Sequence, residues 1–240
     1  MPRRALLAQL AEDPARAALL LDVDGTLAPI VARPELAAVP DATRAELARL
    51  AGRYALVACV SGRTGEDAAR LVGVDGVEYV GVHGLELEPE AERWRERLRP
   101  YADGSAWAPD WTEDKGLTVT FHYREAGDEA AALRELAEVA ERAKTDGLVP
   151  TFGRKVLELR PPVAADKGTA VRRLLADHEL HRALYAGDDT TDLDAFRGLQ
   201  GLELGIRIAV ASAEAPPGLR EAADVVVSTP AELLDLLRTL

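Results

Sequence analysis

The chain has 240 residues, 48% of them apolar and 29% charged, enough for one large α/β domain or for a core with an inserted subdomain. A net charge of −12 excludes broad nucleic-acid binding, which needs a basic face. No stretch approaches the ~20 consecutive apolar residues of a membrane span.

The opening Met1-Pro2-Arg3-Arg4 leads into a short apolar stretch interrupted by Gln9 and Glu12-Asp13, so no signal peptide is expected and a cytoplasmic location is. Residues 18–23 predict a strand, 41–50 a helix, 55–60 a second strand, 64–71 a helix and 77–82 a third strand. The single cysteine, Cys59, lies in the second of these apolar runs. It rules out an intramolecular disulfide framework, fits a reducing compartment and reads as a small core residue. Short apolar runs alternating with amphipathic helices predict a parallel sheet buried on both faces.

Between about 84 and 162 the grammar changes. In 118–124, Thr118, Thr120, His122 and Arg124 alternate with Val119, Phe121 and Tyr123, as half-exposed antiparallel strands do. Residues 156–160 alternate too, and 128–144 predict a long helix. After Pro161-Pro162 the first grammar returns: helix 167–176, strand 182–186, a helix start over 190–197, strands 206–210 and 224–227, and a closing helix 230–240. The expected fold is α/β: a doubly wound, mostly parallel, Rossmann-like sheet formed by residues 1–83 and 163–240. An α+β cap subdomain, residues 84–162, is inserted in it.

In an open parallel sheet, ligands bind beyond the carboxyl ends of the strands. Three predicted strands end in polar clusters: Asp22-Val23-Asp24-Gly25-Thr26, Ser61-Gly62-Arg63 and Gly187-Asp188-Asp189. Each alone reads as readily as a turn, a loop or a helix cap. Together they would bring four carboxylates within a few ångströms, where each pair repels by about 1 kcal/mol in water and ~4 at a protein-surface dielectric. Such a cluster needs a cation, and hard oxygen ligands suit Mg²⁺. Asp22 and Asp24, two apart, can divide the work of nucleophile and acid/base in a two-step phosphoester hydrolysis. Gly25 lets the chain turn away, and Ser61 with the N–H of Gly62 can hold a phosphoryl oxygen. Lys167, opening a helix after the cap, can neutralise aspartate and phosphate together. Of 29 basic residues only Lys115, Lys144, Lys155 and Lys167 are lysines, which hints that a compact ammonium is needed where one is kept.

These segments resemble the haloacid dehalogenase-like superfamily and, within it, the trehalose-phosphate phosphatases. The resemblance covers nearly the whole length. It adds Gly81-Val82-His83-Gly84 with Glu86, Lys115 through His122-Tyr123-Arg124, and Gly153-Arg154-Lys155 with Glu158 and Arg160-Pro161. Asp166-Lys167-Gly168 and Asp188-Asp189-Thr190-Thr191-Asp192 complete it. It implies Asp22 as nucleophile, Asp24 as acid/base and Lys167 as catalytic cation, with Ser61, Gly62 and Arg63 as the phosphate-binding segment. Mg²⁺ would be held by Asp188, the Asp22 side chain and the Asp24 carbonyl, with Asp189 and Asp192 supporting that shell. Sugar recognition would fall on Lys155 and Glu158, with His83 and His122 as further candidates. The implied reaction is hydrolysis of trehalose 6-phosphate through a phosphoaspartate, with a small-molecule sugar phosphate as the partner and no nucleic acid or membrane. A monomer is favoured, though nothing in the sequence fixes it.

Two positions depart from the family pattern. Val23 replaces a common Phe and is expected to point into the core, and Leu193 stands where Glu is common. Lys155 with Glu158 also reads as a surface pair, and His122 with Arg124 as a solvated face. Trp94 is expected to pack, Trp107 and Trp111 either to pack or to stack on sugar, and His178 and His181 to lie on the surface. The alternatives weighed are another capped sugar phosphatase (for sucrose-phosphate, a glycosyl-phosphoglycerate or a hexose phosphate), a phospho-acceptor signalling domain and an inactive carbohydrate-binding relative. Asp24 and the insert argue against the signalling domain.

Overall fold

The computed structural model describes residues 3–31, 36–104, 106–108, 111–153, 155–211 and 215–240; Met1-Pro2, Pro109 and Arg154 lie outside them. In chain order the first elements are α1 (Arg3–Ala11), β1 (Ala17–Leu21), α2 (Asp41–Ala51), β2 (Leu56–Val60), α3 (Gly65–Val72) and β3 (Glu78–Val80). They are followed by α4 (Arg95–Ala102), β4 (Thr112–Asp114), β5 (Val119–His122), α5 (Glu129–Thr145), β6 (Val149–Gly153) and β7 (Val156–Arg160). The chain closes with α6 (Lys167–Asp177), β8 (Arg182–Gly187), α7 (Asp192–Gly198), β9 (Leu204–Val210), α8 (Pro217–Ala222), β10 (Val225–Val227) and α9 (Pro230–Leu237). Among the described residues no helix is long and apolar enough to cross a membrane.

The chain divides into two units, Met1–Leu87 with Ala165–Leu240, and Glu88–Ala164. In the first, six strands form a sheet in the order β10-β9-β8-β1-β2-β3, every neighbouring pair parallel. Numbered within this unit the order is 6-5-4-1-2-3, the doubly wound order, and it reverses between β1 and β8. The apolar runs explain why the sheet is buried on both sides. Leu19 and Leu21 of β1, with Val57 and Cys59 of β2, join one core cluster, while Ala18, Leu20, Ala58 and Val60 join the other. Val23, as expected, is fully buried in the first cluster.

The third strand is shorter than expected. It stops at Val80 because Val82 and His83 take left-handed backbone angles (φ 48° and 54°), which end any extended run. The segment Val82–Leu87 then winds as a 3-10 turn whose Glu86 carboxylate accepts from the N–H groups of Gly65 and Gly81. Residues 84–87 go with the first unit, and the two units divide at 87/88 and 164/165.

The second unit holds an antiparallel sheet in the order β4-β5-β7-β6. Val119 and Phe121 pair with Leu159 and Leu157, and these four pack with Leu136, Val139 and Ala140 of α5. The alternate row, Glu158 paired with Thr120 on one side and Thr151 on the other, lies on the opposite face. Asp128 caps α5 by accepting from the N–H of Ala131 at 2.9 Å. Trp94 and Trp107 pack against this core, and the Trp107 and Trp111 rings meet at a centroid distance of 6.4 Å.

Candidate active site

The three polar clusters follow β1, β2 and β8, which lie side by side in the sheet, so one edge gathers them. That edge includes the β1/β8 switch point, where the flanking helices diverge and leave a crevice. After β1, the N–H of Gly25 donates to Ala28 O at 2.8 Å, and those of Leu27 and Ala28 to Val23 O. Gly25 (φ 78°) is obligatory in this turn: a Cβ there would sit 2.0 Å from Asp188 Oδ2.

The centre of the cluster is a buried ion network. Lys167, at the first helical position of α6 and 2% exposed, places Nζ 2.8 Å from Asp22 Oδ1 and 2.7 Å from Asp192 Oδ1. Its position is set by a capping box. Asp166 accepts from the N–H of Thr169 at 2.7 Å, and the Thr169 hydroxyl accepts from the N–H of Asp166 at 2.9 Å. Asp192, fully buried at the start of α7, also receives the Tyr185 hydroxyl at 2.7 Å and the N–H groups of Asp188 and Asp189 at 2.8 Å each. Gly187 makes room for it, since a Cβ there would lie 2.2 Å from the Asp192 carboxyl carbon.

Asp22, Asp188 and Asp192 offer oxygens that lie within 4.8 Å of one another. Four donors already saturate Asp192, so Asp22 and Asp188 are the members with oxygen left for a hard cation. Burial pushes the Asp22 carboxyl well above its usual range, against the pull of Lys167 and with added repulsion from Asp192 and Asp188. Burial, together with repulsion from Asp192, likewise raises Asp188, to about 6. Burial disfavours the Lys167 ammonium, but Asp22 and Asp192 outweigh it and hold its pKa above the ordinary lysine value. Three carboxylates against one ammonium leave excess negative charge, and this oxygen-only set fits a divalent cation.

Two further carboxylates expected at this edge are engaged by other partners. Asp24 is gripped by Arg63, with Nε 2.6 Å from Oδ2 and an Nη 2.7 Å from Oδ1, a bidentate fork. Asp189 is exposed and accepts from the N–H of Thr190 at 2.7 Å. The carboxylates whose oxygens lie within 4.8 Å of one another are thus Asp22, Asp188 and Asp192. Ser61 is buried and its Oγ accepts from the N–H of Arg63 at 3.1 Å. The His83 ring lies against Gly62, where a Cβ would come 2.7 Å from Cε1.

In the second unit, Lys155 (φ 66°) forms an ion pair with Glu129 of α5, not with Glu158. His122 Nε2 lies 3.1 Å from Glu113 Oε2, and this hydrogen bond, with the nearby Lys115, holds the Glu113 carboxyl below the usual range. Sequence reasoning missed Tyr185, Thr26 (whose hydroxyl donates to Asp188 at 3.3 Å), Glu113 and Glu129. Tyr185 and Thr26 sit in or beside quoted motifs, whereas Glu113 and Glu129 carry no local signal.

A family model described as trehalose-phosphatase matches residues 20–108 and 111–223. This chain belongs to the trehalose-phosphatase family. It is 37% identical over 217 residues to an uncharacterized glycosyl hydrolase of Mycobacterium tuberculosis, covering 80% of this chain and 16% of that one. It is 36% identical over 217 residues to a probable trehalose-phosphate phosphatase of Sinorhizobium fredii, covering 84% of this chain and 81% of that one. Among solved structures, a trehalose-6-phosphate phosphatase related protein matches with a TM-score of 0.74 and 26% identity, over 92% of this chain and 95% of that one. The chain spans only part of some curated relatives, 54% of the length of one from Mycobacterium marinum. Within the family match, Leu193 packs partly buried against the second core cluster, so its apolar side chain has a structural use here.

Proposed function

We propose that this trehalose-phosphatase family member hydrolyses trehalose 6-phosphate to trehalose and phosphate. The observation that carries the reading is the Asp22–Lys167–Asp192 network at the sheet's switch point, beside a second carboxylate, Asp24, held in a fixed orientation. An isolated buried carboxylate would simply take up a proton. The Lys167 ammonium opposes that protonation, pulling Asp22 toward the anion that serves as an oxygen nucleophile while burial pulls the other way.

In the proposed chemistry an Asp22 oxygen attacks phosphorus in line, and the bond to the sugar oxygen breaks as the new one forms. Asp24 gives its proton to the departing sugar oxygen. It then takes a proton from the water that attacks the phosphoaspartate, releasing phosphate and restoring Asp22. Lys167 balances charge on Asp22 and the phosphoryl group, and Ser61 with the N–H of Gly62 holds phosphoryl oxygens. Asp22, Asp188 and the Asp24 main-chain carbonyl would hold Mg²⁺, which supplies electrostatic stabilisation of the phosphoryl oxygens when bound. Arg63 serves this reading through Asp24 as well as through the phosphate-binding segment. Lys155, Glu158, His122 and His83 are assigned to the sugar, and Asp189 and Asp192 to support of the metal ligands.

The test is phosphate release from a panel of sugar phosphates, with Mg²⁺ and with EDTA. Preference for trehalose 6-phosphate that EDTA abolishes supports the whole reading. Metal-dependent release spread evenly over many sugars keeps the chemistry and discards the substrate. Asp22→Asn is expected to remove turnover and any acid-stable phosphoenzyme; substantial residual release would sink the nucleophile.

A further inference from the structure

Residues 81–86 form a strap of which the chemistry above uses only the His83 side chain. Its pieces all converge on the loop after β2. The N–H of Val82 donates to Arg63 O at 2.8 Å and that of His83 to Ser61 O at 2.9 Å. The two oxygens of Glu86 divide between main-chain donors: Gly65 N lies 2.9 Å from Oε1 and Gly81 N 2.7 Å from Oε2. Three glycines clear the way for this approach. A Cβ on Gly81 would lie 2.2 Å from Gly65 N, one on Gly65 2.5 Å from Glu86 Oε2, and one on Gly62 2.7 Å from the His83 ring. To make these contacts the strap carries two successive non-glycine residues in the left-handed region, one of them the β-branched Val82. Such angles persist only where the surroundings over-determine them. Here the over-determining group is a carboxylate spent entirely on backbone.

The grip has a definite downstream end. The strap fixes the main chain at Ser61, Arg63 and Gly65, and from Arg63 the guanidinium reaches both oxygens of Asp24. The Asp24 side chain is 45% exposed, so packing does not orient it; the Arg63 fork does. We propose that Glu86 is a positioning residue for the general acid, acting through the strap and Arg63 on Asp24. This rests on the phosphoaspartyl reading and deepens it.

The distinguishing signature is dependence on the leaving group. The value of kcat/KM covers the steps through departure of the alcohol, and a proton from Asp24 matters far more to a sugar alkoxide than to a nitrophenolate. The experiment measures kcat/KM with Mg²⁺ on the full chain for a series from p-nitrophenyl phosphate to sugar phosphates. Asp24→Asn defines what loss of the acid looks like. Glu86→Gln is expected to cost about 10- to 100-fold on sugar phosphates and under about threefold on p-nitrophenyl phosphate, part of the range general acids contribute. Arg63→Lys, which loses the fork, should give the same slope, and the double variant should lose no more than the worse single one. Glu86→Asp, which keeps a shorter carboxylate, should fall between.

Equal loss on every ester in both Glu86→Gln and Glu86→Asp, or a lowered melting temperature as the only effect, overturns the proposal and leaves Glu86 structural. If Glu86→Gln does not fold, Glu86→Asp alone decides on the same criterion. An Asp24→Asn profile without a slope overturns the acid assignment itself. A wild type that spares trehalose 6-phosphate while cleaving other esters overturns the substrate and leaves the Glu86 test readable.

Discussion

Lys167 illustrates how one buried charge serves both stability and chemistry. Its ammonium touches Asp22 and Asp192, and all three groups are nearly or wholly buried. Lys167→Met removes the ammonium shared by the buried Asp22 and Asp192 carboxylates and should destabilise the chain by about 3–5 kcal/mol. Urea unfolding at pH 7.5 checks this, and the loss should shrink in acid as the carboxylates take up protons. Asp188 makes the complementary case. Its folded pKa of about 6 lies above the 3.8 of the unfolded chain, so the stability it contributes is full below about pH 4 and lost as pH rises through about 6. A divalent cation binds the ionised form, so stabilisation by Mg²⁺ should appear as pH rises through that range. Melting curves with and without Mg²⁺ should diverge at pH 7.5 and converge at pH 5, and Asp188→Asn should abolish the difference. Most of these residues were legible because strand-end polar clusters stand out against apolar runs. The Arg63–Asp24 fork was not, since both residues lie in quoted motifs but nothing in spacing says which side chain turns to which.

At the scale of elements, α6 is where cap chemistry and site geometry meet. The Asp166 capping box sets the first turn from which Lys167 projects, and a Cβ on Gly168 would come 2.3 Å from Asp194 O of α7. Asp166→Ala should cost about 1 kcal/mol by loss of the cap. Its urea midpoint should move far less than that of Lys167→Met, while kcat falls through the displaced ammonium. The helices and central strands could be read from periodicity because both faces of the sheet are buried and each run is continuous. The elements that escaped are α1, α4, α8, β4 and β6, which are short, exposed or interrupted. β6 is an exposed edge strand containing Pro150, and its side chains show no alternation to read. The premature end of β3 escaped for a different reason: contacts of Glu86 with Gly65 and Gly81, not local propensity, determine it.

At the scale of the whole molecule, the first unit is assembled from two segments of chain separated by the second. β1 and β8 pair in register across that separation, Leu21 beside Ala186, so the site forms only when distant segments meet. The second unit has its own core, built around Phe121, Leu136 and Leu157. This segregation has a practical corollary. All three tryptophans, Trp94, Trp107 and Trp111, fall in the second unit, and the lone sulfhydryl, Cys59, sits fully buried in the central sheet of the first. The chain thus carries an intrinsic fluorophore for one unit and a single alkylation target for the other, with no labels to engineer. In intermediate urea, Mg²⁺ should slow thiol alkylation of Cys59 while leaving the tryptophan emission midpoint in place. If both signals shift together, the two units open as one cooperative block.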